Sequence, residues 1–379
     1  MRIVSVVTLF TPDGAYGGPT RVALNQARAL RAAGHEVELA AAATGYDGPL
    51  PRVVDGIDVR LFPARRILPG TGFAGLASPA LQRWLARALP GADVAHVHLA
   101  RDLITLPAVR RARRVGTPYV LQTHGMIDAS SHPLAAPLDA LWTRPALHHA
   151  SHVLHLTERE RRDLTGIAGR ALPFVELSNG IDVPPASVPA SPPEVLFLAR
   201  LAERKRPTVF VRAAQRLAPA HPDTAFTLVG PDEGEGEAVR ALLADDDADG
   251  RIRWTGALPL DATQDRVARA TVSVLPSVDE PFPMSVIEAM AAGVPVVVTD
   301  TCGLASRVER AGAGVVVGPD VDALVAAVGR LLDDPAAARA AGDAGRALCA
   351  DELSMRAVLT TLEEVYRASV RDAVGAPRA

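Results

Sequence analysis

Two glutamates, Glu280 and Glu288, stand eight residues apart in the stretch DEPFPMSVIEAMAAGVPVVVTD. Pro281 and Pro283 hold the first outside the helix that starts near Met284, because proline has no amide hydrogen and its ring excludes the preceding turn. The carboxylates therefore occupy different levels. Glu280 faces the helix N-terminus, beside a ligand held by the backbone of Phe282, Pro283, Met284 and Ser285, and Glu288 projects one turn further in. Two acceptors so placed can bracket a polyol. Taken alone, such a pair also reads as a solvated helix face, since acids are rarely buried; the proline-bracketed loop and the apolar strand that follows favour the ligand.

A second feature is cationic. Lys205, in ARLAERKRP, is the only lysine among 40 basic residues. An ammonium is a compact point charge and a guanidinium a planar fork, so Arg200 at the end of a strand and Lys205 at the start of the next helix can neutralise one anion from two sides. The alternative is the chance survival of one lysine codon in an exposed loop. Gly17 and Gly18, ahead of Pro19 in GAYGGPTRVALNQ, form either a second anion site, with free amides and the positive end of a helix, or a plain tight turn. The spacing is not GxGxxG, which demotes nicotinamide chemistry.

Eight of the ten histidines fall between His96 and His155, which raises a metal site. HExxH is missing, His148 and His152 straddle a predicted helix–strand junction, and no Cys or acidic partner is spaced to complete a ligand set. No metal is expected. His124 differs: it follows the strand YVLQT, beside Gly125, at a carboxyl end where ligands of parallel sheets bind. His98 is placed similarly and could equally be a core residue. Arg110, Arg111, Arg113 and Arg114 share one helix, which is either a solvated face or a contact with anionic lipid.

The elements that must position these groups follow from the hydrophobic pattern. RIVSVVTL, HEVELAAA, ADVAHVHL and PYVLQT read as strands alternating with helical stretches such as PTRVALNQARALRAAG and DLITLPAVRRARRVG. Five prolines in eleven residues, 183–193, interrupt the series and exclude both helix and sheet interior. It restarts with EVLFLA and runs through TAFTLVG, RIRWTG, TVSVLP, VPVVVTD and GVVVG. The expected fold is α/β: two doubly wound parallel-sheet domains facing a cleft. Residues 1–183 form an N-terminal domain, 184–193 a linker, 194–352 a C-terminal domain, and 353–379 a last helix that folds back on the first domain. The 379 residues suit two cores. Net charge is -3, with 20 Arg against 15 acids in residues 1–189 and the excess of acid in the remainder; this excludes a strongly basic nucleic-acid binder. Two cysteines 47 residues apart without a CxxC pair fit a reducing compartment, and no run approaches a membrane span.

Taken together, the chain resembles the family-4 retaining glycosyltransferases of GT-B fold, of bacterial polysaccharide or natural-product type. The E-x7-E signature falls on Glu280 and Glu288, the phosphate clamp on Arg200 and Lys205 (with Ala199 in place of the usual glycine), and NGID on Asn179, Gly180, Ile181 and Asp182. The resemblance implies a nucleotide-diphosphate sugar as co-substrate, no further cofactor, and a glycan, lipid-linked or small-molecule acceptor held by the first domain. It implies that Glu280 and the backbone of 282–285 bind the transferred sugar, that Glu288 binds the ribose, that the base lies near Ala257 and Leu258, and that His124 approaches the sugar. Retention through a covalent intermediate would want two carboxyls about 5 Å apart. Only Glu280 is a candidate, so front-face attack is expected, the departing phosphate oxygen taking the acceptor's proton. A cytoplasmic location, with peripheral contact at the inner membrane face left open, is also implied. One departure stands out: where the family often reads GGxxE, this chain has TCGLASRVE. An epimerase or phosphorylase of the same fold, or a non-catalytic sugar-nucleotide sensor, is the alternative.

Overall fold

The computed structural model describes all residues except 13–16, 69, 131, 133, 185–190, 245–249, 260, 261 and 376–379. The chain forms two compact units, Met1–Gly180 with Met355–Ala379, and Ile181–Ser354. Most of the proline-rich linker and residues 14–16 of the glycine turn lie outside the described residues.

In the first unit the strands are β1 (Arg2–Phe10), β2 (Glu36–Ala43), β3 (Val53–Val54), β4 (Ile57–Pro63), the short ribbon β5 (Arg65–Arg66) and β6 (Leu76–Ala77), then β7 (Val94–His98), β8 (Tyr119–Gln122), β9 (His152–His155) and β10 (Phe174–Glu176). Apart from the β5–β6 ribbon they build one sheet in the order β10-β9-β8-β7-β1-β2-β4-β3, parallel except for the β3–β4 hairpin. Alternate residues of β1 enter opposite layers: Val4 and Val6 join one apolar cluster, Ile3 and Val7 the other, as a strand covered on both faces requires. The helix Met355–Gly375 completes the second of these layers with Val358, Leu362, Val365 and Tyr366, a spacing that places them on one helical face.

The second unit continues with β11 (Glu194–Leu198), β12 (Ala225–Val229), β13 (Ile252–Trp254), β14 (Val272–Leu275), β15 (Val296–Thr299) and β16 (Gly314–Val317). Their order is β13-β12-β11-β14-β15-β16, and every neighbouring pair is parallel. Strands are laid down outward from β11 on one side, then outward from β14 on the other. Adjacent β11 and β14 therefore mark the point where strand order reverses, the place in an open parallel sheet where loops diverge and leave room for a ligand. The corresponding reversal in the first unit lies between β1 and β7.

Candidate functional site

The two sides of the reversal in the second unit carry the charges singled out above. After β11 the chain makes a short turn, Glu203–Lys205, passes Arg206 at φ 54° and enters the helix Pro207–Leu217. After β14 it runs through 276–283 to the helix Met284–Ala291. These segments meet: Lys205 Nζ donates to Glu280 Oε2, and Arg204 Nη2 lies 3.5 Å from the same oxygen. The pair is nearly dry, with side-chain exposures of 12% for Lys205 and 9% for Glu280. In such surroundings removing one partner strands the other charge, a cost of about 3–5 kcal/mol.

Backbone bonds clasp the Glu280 loop. Val278 N donates to Arg204 O at 3.0 Å and Gly303 N to Glu280 O at 2.8 Å, while Asp279, at φ 51°, donates its amide to Thr301 Oγ1 at 3.3 Å. A Cβ on Gly303 would stand 1.8 Å from Pro281 O, so only glycine permits this approach. The departure TCGLASRVE is thus the segment that holds Glu280 in place. Cys302 is buried beside the pair, and burial pushes its thiol up to about 11, which keeps it un-ionised and poorly nucleophilic.

The remaining predicted positions distribute around this centre. Arg200 is more exposed and pairs with Glu233, not with Glu280. Pro283 is buried, Phe282 and Ser285 are half-buried and Met284 is exposed. The amides of Val286 and Ile287 return to Pro283 O, which leaves the amides of Met284 and Ser285 ahead of the helix ladder. Glu288 is half-buried on the same helix. Ala257 is exposed and Leu258 packs against the core; they follow Gly256, whose carbonyl accepts from Gly230 N at 2.8 Å. Arg204 was not singled out from sequence, because it lies within an arginine-rich run with nothing to set it apart.

In the first unit Gly17 opens the helix Gly17–Ala32 and Gly18 is exposed. His124 follows β8 at φ 51°, with Gly125 at φ 71°, two successive left-handed residues that the surroundings must hold. Glu160 does so: its Oε1 accepts from Thr123 Oγ1 at 2.5 Å and from Gly125 N at 2.6 Å, and its Oε2 from Leu156 N at 2.6 Å. Glu160 was missed, although Thr157 and Glu160 carry the spacing of a helix capping box and Thr157 Oγ1 does accept from Glu160 N at 3.2 Å. His98 Nδ1 lies 2.7 Å from His124 Nε2, and His96 stacks on His98 with centroids 4.5 Å apart. The other histidines of the cluster bind elsewhere: His148 a backbone carbonyl and His152 the Ser369 hydroxyl. Among the described residues no group of three or more His, Cys, Asp or Glu is arranged to hold a metal ion. Arg110, Arg113 and Arg114 are exposed, and Arg110 lies 5.0 Å over the Trp142 ring. No helix among the described residues is long and apolar enough to cross a membrane.

Two doubly wound sheets, each with its loops gathered at a strand-order reversal, define the GT-B class of sugar-transfer proteins. The comparisons agree. Residues 17–180 match the model of the glycosyl transferase 4-like domain and residues 183–348 that of glycosyl transferases group 1. The chain is 31% identical over 324 residues to a 2-deoxystreptamine glucosyltransferase of Streptomyces kanamyceticus, covering 75% of this chain and 81% of that one. It is 31% identical over 388 residues to a 2-deoxystreptamine N-acetyl-D-glucosaminyltransferase of Streptomyces fradiae, covering 88% and 89%. Among solved structures, HepE of Anabaena in complex with UDP matches with a TM-score of 0.73 at 17% identity, over 97% of this chain and 100% of that chain. The chain belongs to the family-4 glycosyltransferases and acts on sugar donors.

Proposed function

We propose that the protein transfers a sugar, with retention of anomeric configuration, from a nucleotide-diphosphate donor held by the second unit to a hydroxyl of a small aminocyclitol acceptor. The observation that carries the donor reading is the Lys205–Glu280 pair at the strand-order reversal. Lys205 supplies a nearly buried positive charge and Arg200 a more exposed one near it in sequence, while Glu280 supplies an acceptor for sugar hydroxyls ahead of the free amides of Met284 and Ser285. A donor diphosphate would replace Glu233 on Arg200 and share Lys205 with Glu280. The cations then stabilise the diphosphate as the glycosidic bond breaks, an electrostatic contribution of about 3 kcal/mol per group, and a metal ion is not required for it. Glu288 is assigned to the ribose and the turn at Ala257 and Leu258 to the base.

Glu280 is tied to two cations, so it serves as a hydroxyl acceptor and not as a nucleophile. The reaction proceeds by front-face attack: the acceptor oxygen bonds to the anomeric carbon as the phosphate oxygen leaves, and that oxygen takes the acceptor's proton. In the first unit, His124 is assigned to contact with the substrate. The acceptor class rests on the two relatives named for 2-deoxystreptamine. The test is a transfer assay with UDP-, GDP-, ADP- and dTDP-sugars against 2-deoxystreptamine, run with and without EDTA. Formation of a glycoside whose anomeric proton keeps the donor's configuration, undiminished by EDTA, is expected; an inverted product or strict metal dependence contradicts the mechanism, and consumption of no donor contradicts the activity.

A further inference from the structure

Five side chains, four of them buried and His124 half-buried, make a continuous path in the first unit. Ser5 and His96 are register partners on β1 and β7, and His96 and His98 lie on one face of β7 because strand residues two apart point the same way. Tyr366, from the C-terminal helix, lies with its hydroxyl 2.7 Å from His96 Nδ1. His98 Nε2 lies 3.5 Å from Ser5 Oγ, and His98 Nδ1 lies 2.7 Å from His124 Nε2. The rings of His98 and His124 are within 7° of parallel with centroids 5.0 Å apart. Rings stacked face to face cannot bring two nitrogens this close, so the two imidazoles share a plane and are joined through it.

An N···N hydrogen bond holds one proton, so one ring donates and the other accepts. Whichever nitrogen of His98 is protonated therefore dictates the tautomer of His124. Burial holds the set neutral: His96 is lowered to about 4 and His124 to about 3, and His98 is lowered as well, by burial and by the two flanking rings. With the hydroxyl of buried Ser5, 3.5 Å away, as donor to His98 Nε2, one set of tautomers follows. That leaves the proton of His98 on Nδ1, where it is donated to His124 Nε2, and leaves the proton of His124 on Nδ1.

Resting on the assignment of His124 to the substrate, we propose that His98 is a positioning residue for sugar transfer, which fixes the His124 ring and its tautomer so that Nδ1–H is the donor offered to a substrate oxygen. His124 Nδ1 has no hydrogen-bond partner among the described residues, as a group reserved for a ligand would not.

The experiment combines imidazole 15N spectra with kinetics on the full chain. Wild type is expected to show His124 with protonated Nδ1 and unprotonated Nε2. His98→Phe keeps a ring against His96 but removes both nitrogens, so His124 should exchange between tautomers. Its kcat should fall about 10- to 100-fold, the range for lost orienting partners, with donor KM changed by no more than about two-fold. His98→Asn restores a polar atom near the Nδ1 position and should recover most of kcat. A His124 spectrum identical in wild type and His98→Phe overturns the proposal, as does equal loss in His98→Phe and His98→Asn with melting temperature lowered in both. If wild type transfers no sugar at all, the functional reading fails while the 15N spectra still decide whether His98 governs His124.

Discussion

Lys205 pairs with the Glu280 carboxylate, and the proposed donor diphosphate would be its second anionic neighbour. Lys205→Arg retains the charge and should keep most activity. Lys205→Ala should lower kcat/KM by about 10²- to 10³-fold, the usual effect of removing one electrostatic stabiliser; a Lys205→Ala enzyme of near wild-type activity would refute the clamp. Because the chain has no other lysine, amine acylation can modify only Lys205 and the N-terminus. Inactivation by the reagent should be slowed by a nucleoside diphosphate, which peptide mapping of residue 205 would measure. The buried histidines make a separate, thermodynamic prediction. Their folded values, about 4 for His96 and about 3 for His124, lie below the unfolded value of about 6.5, so the unfolded chain binds more protons at mildly acidic pH. Their stability contribution is intact above about pH 6.5 and is lost as pH falls toward 4, at about 1.4 kcal/mol per pH unit for each histidine. Urea unfolding of the first unit between pH 7 and 5 should show this slope, and His96→Phe should reduce it by one histidine's share.

The loops after β11 and β14 meet where strand order reverses, and the loop after β15 is fastened to the second of them. Gly303→Ala tests that tie: the added methyl would meet Pro281 O, displacing the Glu280 loop, so donor affinity should fall at least about ten-fold and stability by about 1–3 kcal/mol. Titration calorimetry together with a melt would separate the two effects. Much of this frame was legible beforehand. The apolar runs fell on β1, β2, β7, β8, β11, β12, β14, β15 and β16, and the proline spacing around Glu280 announced the helix at Met284. The β3–β4 hairpin and the β5–β6 ribbon were not, since VV and RR are too short to carry a period. Spatial pairings were hidden for another reason. Arg204 lies against Glu280 from 76 residues away in the chain, Glu233 reaches Arg200 from beyond β12, 33 residues on, and Glu160 holds the turn at His124; no local pattern encodes which carboxylate a cation will meet. The TCGLASRVE loop departs from the family pattern, and the Gly303 amide and the Thr301 hydroxyl are what fasten the Glu280 segment.

The two units have separate cores, and the C-terminal helix belongs to the first. Leu362, fully buried there, is far from the charges at β11 and β14 in sequence and in unit membership. Leu362→Ala should cost about 2–5 kcal/mol and lower only the calorimetric transition of the first unit, whereas a nucleoside diphosphate at 100 times its Kd should stabilise the second by about 2.7 kcal/mol. A diphosphate site in the second unit, organised by Lys205 and Glu280, is the centre of the proposed function. Titration calorimetry of UDP, GDP, ADP and dTDP into the wild-type chain and into Lys205→Ala tests this most directly. At least one nucleotide should bind the wild type and lose ten-fold or more in affinity for Lys205→Ala, a difference of about 1.4 kcal/mol; failure of all four to bind, or equal binding to both proteins, would contradict it.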